Sequence, residues 1–166
     1  WAPMNRLIID GYSLLYRDPG LSHQRKVDFR MAREQLIRRL DRLSSALAPL
    51  VELVFDGRAA GSREQVSATV LHLIYSPAPR TADSVIEEMV GESPDPISIC
   101  VVTADRAEID VVTAAGAEVM SCASFLDRLD ELERHVSKDL SRNSTFGCRL
   151  SDFGPLEPSI PRRAGA

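Results

Sequence analysis

The chain of 166 residues predicts an α/β domain: a three-layer sandwich with a central, mostly parallel five-stranded sheet flanked by helices. Three observations carry this prediction. Short, nearly continuous apolar runs alternate with amphipathic segments of helical period, as expected of strands covered on both faces by crossover helices. Three of those runs close in the same way, on an aspartate: Leu7-Ile8-Ile9-Asp10, Leu53-Val54-Phe55-Asp56 and Val101-Val102-Thr103-Ala104-Asp105. The composition, 44% apolar and 27% charged, is that of an ordinary globular chain.

Taken in order, Arg6–Asp10 is a short apolar run closed by Asp-Gly and reads as a buried strand. From Val27 to Leu47, Phe29, Ala32, Leu36, Leu40, Leu43 and Leu47 recur every three or four residues, which predicts a helix with arginines on its other face. Pro49 ends it, and Val51–Phe55 is a second strand. A polar loop from Arg58 to Gln65 leads to a third, Val70–Tyr75, before Ser76-Pro77. Pro79 introduces a helix over Ala82–Val90. Ile97–Thr103 is a fourth strand, followed by a helix to Ala115 with Gly116 in the C′ position. Ala117–Met120 is a fifth strand and Ala123–Leu140 a charged amphipathic helix. The domain thus spans 4–142. Residues 143–166, rich in Gly and Pro and without periodicity, are expected to be an irregular tail, and Trp1-Ala2-Pro3 ahead of Met4 is read as a remnant outside the fold.

Charge is unevenly distributed. Residues 5–80 hold 12 Lys/Arg against 8 Asp/Glu, whereas residues 81–139 hold 4 against 14. The first region suits phosphates and the second suits cations, although two solvated faces of opposite sign would read the same way. The apolar runs are far shorter than the roughly 18–20 residues of a membrane span, and no leader pattern opens the chain, so a cytoplasmic protein without a membrane partner is expected. Cys100, Cys122 and Cys148 are odd in number and widely spaced, which argues against a disulfide framework or a zinc site.

In an open parallel sheet the carboxyl ends of the strands share one edge, where ligands bind. Asp10, Asp56 and Asp105 therefore meet at one rim. Asp83 opens the helix after the third strand and joins them, with Glu87 four residues on along the same helical face. Each acid also has a local reading: Asp10-Gly11 and Asp56-Gly57 as turns, Ser84-x-x-Glu87 as a capping box, Asp105 with Glu108 as an N-cap pair. Like charges at ~4 Å repel by roughly 4 kcal/mol at an effective dielectric near 20, so such a cluster needs a proton or a cation. Oxygen ligands without His or Cys favour Mg²⁺ or Mn²⁺, and metal-assisted phosphodiester hydrolysis is the matching chemistry.

These residues resemble the NYN-domain proteins, PIN-like nucleases, and especially their YacP-like branch. Asp10-Gly11-Tyr12-Ser13 is similar to that family's DGYN opening. Phe55-Asp56-Gly57, Thr81-Ala82-Asp83 with Ile86-Glu87, Thr103-Ala104-Asp105, and Gly116-Ala117-Glu118-Val119 with Ser121–Phe125 follow in the family's order over about residues 6–140. The resemblance implies a PIN-like fold and a metal-dependent endoribonuclease. It places metal-binding carboxylates at Asp10, Asp83 and Asp105, with Asp56 and Glu87 as further catalytic candidates. Ser13 departs from the family's Asn; with Thr103 it would orient carboxylates or water. RNA would be drawn in by Arg106, Arg58, Arg63 and Arg80, with the arginines of the Arg30–Arg42 helix face further off, and Tyr12 is a candidate for base stacking, its local reading being a core tyrosine.

The rival reading is a catalytically silent RNA-binding or ribosome-associated module on the same fold, which Ser13 favours and the retained acids oppose. A phosphatase of the haloacid-dehalogenase type expects a second Asp where Tyr12 stands, and a lysine; the only lysines are Lys26 and Lys138. A dinucleotide-binding Rossmann domain lacks its glycine motif.

Overall fold

The computed structural model describes residues 4–57, 68 and 70–145. The elements are β1 (Arg6–Asp10), α1 (Gly11–Arg17), α2 (Ser22–Val27), α3 (Phe29–Leu47), β2 (Leu50–Phe55), β3 (His72–Tyr75), α4 (Ala82–Gly91), β4 (Ile99–Val102), α5 (Arg106–Ala114), β5 (Glu118–Met120) and α6 (Cys122–Thr145). The five strands form one sheet in the order β3-β2-β1-β4-β5, and every pair is parallel. The chain turns back from β3 at one edge to β4 beside β1, so the topological switch lies between the carboxyl ends of β1 and β4.

Strand periodicity sorts the core into two layers. Leu7 and Ile9 of β1, with Val51, Leu53 and Phe55 of β2, pack under the buried stripe of α3 and the Phe125 side of α6. Ile8, Val54, Ile99 and Val101 face the other way, against Ile86 and Val90 of α4 and Val112 of α5. Asp10, Asp56 and Thr103 each stand two residues beyond a member of that second set. Alternation therefore aims all three toward the α4–α5 side at the sheet's carboxyl edge.

Boundary differences have local causes. The helix expected from Val27 breaks at Asp28, whose extended backbone caps α3 as its carboxylate accepts from Met31 N at 3.1 Å. Residues 11–27, for which no element is predicted, form two short helices joined by a 3₁₀ turn at Pro19–Leu21. The third strand begins two residues late because the N–H groups of Val70 and Leu71 go to Asp41 Oδ1, both at 2.9 Å. A 3₁₀ turn at Pro96–Ser98 delays β4 in the same way. Gly116 sits at φ +106°, the left-handed conformation a helix C′ residue favours, as expected.

Packing divides the chain into two units, Trp1–Glu133 and Arg134–Ala166. The described part of the second is the end of α6, which remains helical through Thr145, three residues into the tail expected to be irregular; the rest of that tail lies outside the described residues. Among the described residues no helix is long and apolar enough to cross a membrane.

The arginine-bearing face of α3 departs from the expected solvated stripe. Arg39 donates from Nε to Glu133 Oε1 at 2.7 Å and from Nη2 to Asp130 Oδ1 at 2.6 Å, and Arg42 reaches the same Glu133 at 3.2 Å. Arg33 is only 6% exposed and lies beside the Tyr12 hydroxyl. The stripe is in part an ion-paired seam between α3 and the acidic start of α6.

Candidate metal centre

Asp10 is both the last residue of β1 and the N-cap of α1. Its Oδ1 accepts from Ser13 N at 3.4 Å and its Oδ2 from Ser13 Oγ at 2.9 Å. The Asp-Gly pair thus begins a helix rather than a turn. Gly11 is required by packing: a Cβ there would stand 2.3 Å from the Phe55 ring. Asp83, in the first turn of α4, and Glu108, in the first turn of α5, face Asp10. One carboxylate oxygen from each of Asp10, Asp83 and Glu108 lies within 4.8 Å of the other two. Asp10 is 5% exposed and Glu108 only 1%.

Thr103, just past β4, ties the group together. Its Oγ1 lies 3.3 Å from Asp10 Oδ2 and 3.0 Å from Glu108 Oε2, and it accepts from Asp105 N at 3.1 Å. The other oxygen, Glu108 Oε1, is buried without a partner. Burial first, and then the charge of Asp10, push the Glu108 carboxyl up to about 9. Burial, then Asp10, Asp105 and Glu87, also raise that of Asp83. Desolvation and like charge act in the same direction, so the cluster in this form holds a proton.

A cavity of about 330 Å³ opens over Asp10 and Asp83, with Glu108 buried behind them; it is lined by Asp10, Tyr12, Ser13, Tyr16, Asp56, Thr81, Ala82, Asp83 and Asp105. Asp105 borders this cavity, but its Oδ1 caps α5, accepting from Ala107 N at 2.9 Å and Glu108 N at 3.2 Å. The third acid of the close cluster is instead Glu108, which the sequence pattern marked only as a capping partner. Its signal was its place: it lies four residues before Val112 on the inward stripe of α5, where a glutamate is expected only if paired or functional.

The remaining candidates divide. Asp56 lines the cavity; Glu87 borders Asp83 electrostatically but does not line it. Tyr12 packs against Phe29 at 5.8 Å and Phe55 at 5.1 Å between ring centroids, as a core tyrosine does, although it also borders the cavity. Arg80 is ion-paired with Glu88. Arg106 is exposed and lines an adjoining depression of about 490 Å³ together with Arg17 and Thr103. Arg58 and Arg63 lie outside the described residues. Another depression, of about 830 Å³ between α1, α3 and α6, holds no such close acid cluster among the described residues, and its Arg39 and Arg42 are ion-paired.

A parallel α/β sandwich with buried carboxylates gathered at the switch point of its sheet has the build of a nuclease-like NYN domain. More narrowly, the chain belongs to the YacP-like NYN domain family, whose model matches residues 7–152. YacP of Bacillus subtilis (strain 168) is 26% identical to it over 137 residues, 81% of each chain. The crystal structure of a tryptophan-to-leucine mutant of Rae1 (YacP) from Bacillus subtilis superposes with a TM-score of 0.72 at 25% identity, covering 90% of this chain and 89% of that one. A second crystal structure of Rae1 gives 0.70 at 23% identity over 86% and 83%, a likeness of fold.

Proposed function

We propose that this chain is a divalent-cation-dependent endoribonuclease, with Asp10, Asp83 and Glu108 holding Mg²⁺ or Mn²⁺. The observation that carries this reading is the approach of three carboxylates, from three separate elements, to within 4.8 Å. The orphaned Glu108 Oε1 is an acceptor that a cation would satisfy. All ligands are hard oxygens, the donor set such ions prefer.

When bound, the cation supplies a water of lowered pKa and shields the charge of the phosphodiester. The chain's own residues prepare the site. Ser13 and Thr103 fix the Asp10 carboxylate from two sides, so that its oxygens need not reorganise. Ser13 Oγ reaches Asp10 at 2.9 Å, so the serine that replaces the family's Asn keeps a hydrogen bond to the carboxylate. Asp105 and Asp56 border the cavity and offer acceptors to an attacking water. Arg106 lies beyond this acidic zone, where a flanking phosphate of RNA would meet a cation. The substrate is RNA in the cytoplasm, and the domain at 4–142 carries the reaction.

The test is cleavage of single-stranded and structured RNA in Mn²⁺, with and without chelator, with product ends mapped and Asp10→Asn in parallel. Internal cuts that disappear with chelator and in Asp10→Asn are expected. Binding without cleavage by the unaltered protein would replace this reading with the silent RNA-binding or ribosome-associated module.

A further inference from the structure

Tyr16 stands one turn beyond Tyr12 on α1 and is 62% exposed, although it borders the carboxylate cavity. It is not a loose surface side chain. The Arg25 guanidinium lies 5.6 Å from its ring centroid, and the Phe29 ring lies 5.9 Å away at 40°. Arg25 is itself pinned, donating to the backbone carbonyls of Leu15 and Asp18. Tyr12 and Tyr16 are the aromatic residues bordering the cavity, and Tyr12 is committed to the core by Phe29 and Phe55.

We infer that Tyr16 is a stacking platform for an unpaired nucleobase of the RNA strand, on a nucleotide neighbouring the one whose phosphate lies over Asp10, Asp83 and Glu108. This inference rests on the nuclease reading for the identity of the ligand. The chemistry of the rim favours a ring over a cation at this place. A polyanion approaching four aspartates needs contacts that do not depend on charge, and Arg80 is already held by Glu88. A base has an apolar face that stacks on tyrosine whatever its identity. Because Arg25 and Phe29 already order the ring, little side-chain freedom is lost on binding. Six residues of helical rise put Tyr16 about 9 Å along α1 from the Asp10 cap. A base buried in a duplex has no free face to offer, so the platform selects single strands.

The experiment measures binding of a dye-labelled single-stranded oligoribonucleotide, and of the same sequence as a duplex, by fluorescence anisotropy in chelator, with cleavage in Mn²⁺ followed separately. Tyr16→Ala is expected to weaken single-strand binding about tenfold, and Tyr16→Phe and Tyr16→Trp to stay within about twofold. One abasic nucleotide, scanned along the strand, should weaken binding by the unaltered protein at one position and have no effect there on Tyr16→Ala. Equal binding by Tyr16→Ala, a loss in Tyr16→Phe as large as in Tyr16→Ala, or tighter binding of duplex than of single strand by the unaltered protein overturns the platform. A failure of cleavage in Mn²⁺ with these binding differences intact would instead overturn the nuclease reading and leave the platform standing.

Discussion

Asp10 and Glu108, distant in the chain, share one hydroxyl: Thr103 Oγ1 lies 3.3 Å from the first and 3.0 Å from the second. A hydroxyl carries a single hydrogen and can donate to only one of them. The remaining contact needs a hydrogen from a protonated carboxyl, which agrees with a Glu108 pushed up to about 9. A cation would take over the role of that proton.

This exchange gives the cation-free protein a distinctive pH dependence. Glu108 ionises at about 9 in the fold against 4.5 ordinarily, so the folded state holds the proton more tightly. Its contribution to stability is fully present below the ordinary value and is lost as pH rises toward 9. In chelator, Tm is expected to fall by roughly 6–12 °C between pH 6 and pH 8.5, and Mn²⁺ to raise Tm more at the higher pH. Glu108→Gln should flatten the chelator curve. Thermal unfolding followed by circular dichroism checks both expectations.

Thr103→Val keeps the shape of the side chain and removes the hydroxyl shared by Asp10, Glu108 and Asp105 N. RNA cleavage is expected to fall roughly 10- to 100-fold while the fold persists, with Thr103→Ser recovering most of the activity. Steady-state kinetics in Mn²⁺ together with a near-UV spectrum separate this from unfolding.

Gly11→Ala places a methyl 2.3 Å from the Phe55 ring, whose own neighbours Tyr12 and Tyr75 leave it little room to retreat. Overpacking of this kind costs about 1–3 kcal/mol. Urea denaturation should show that loss with an unchanged m-value.

Arg39 is anchored by a fork to Glu133 and by Asp130, which makes it a structural residue rather than an RNA contact. Arg39→Ala is expected to lower stability by about 1–2 kcal/mol and to leave RNA affinity within about twofold. Paired urea melts and anisotropy titrations test the two halves of that expectation.

These contrasts mark what the sequence could disclose. The layers, the parallel order and the acids at the strand ends were legible because alternation and apolar runs are local signals. Asp10 and Asp83 come together as expected, since strand-end and helix-start positions on one sheet edge converge whatever the loops do. Glu108 was hidden because the spacing Asp105-x-x-Glu108 has a sufficient local explanation, and the cap it describes is real on the Asp105 side. Only the docking of α5 reveals that its inward stripe meets Asp10. Tyr16 went unnoticed for a related reason: no element is predicted over residues 11–27, and α1, seven residues long, is too short for a helical period to stand out. Arg39 and Arg42 of α3 were visible as charges, but Asp130 and Glu133 lie on α6, nearly a hundred residues later, and long-range pairing leaves no local trace.

Joint coordination of one divalent cation by Asp10, Asp83 and Glu108 is tested most directly by calorimetric titration of Mn²⁺ into the protein and into Glu108→Gln. One site per chain, weakened at least tenfold by the substitution, is the predicted result. Unchanged Mn²⁺ affinity in a folded Glu108→Gln, or no saturable site in the unaltered protein, would contradict it.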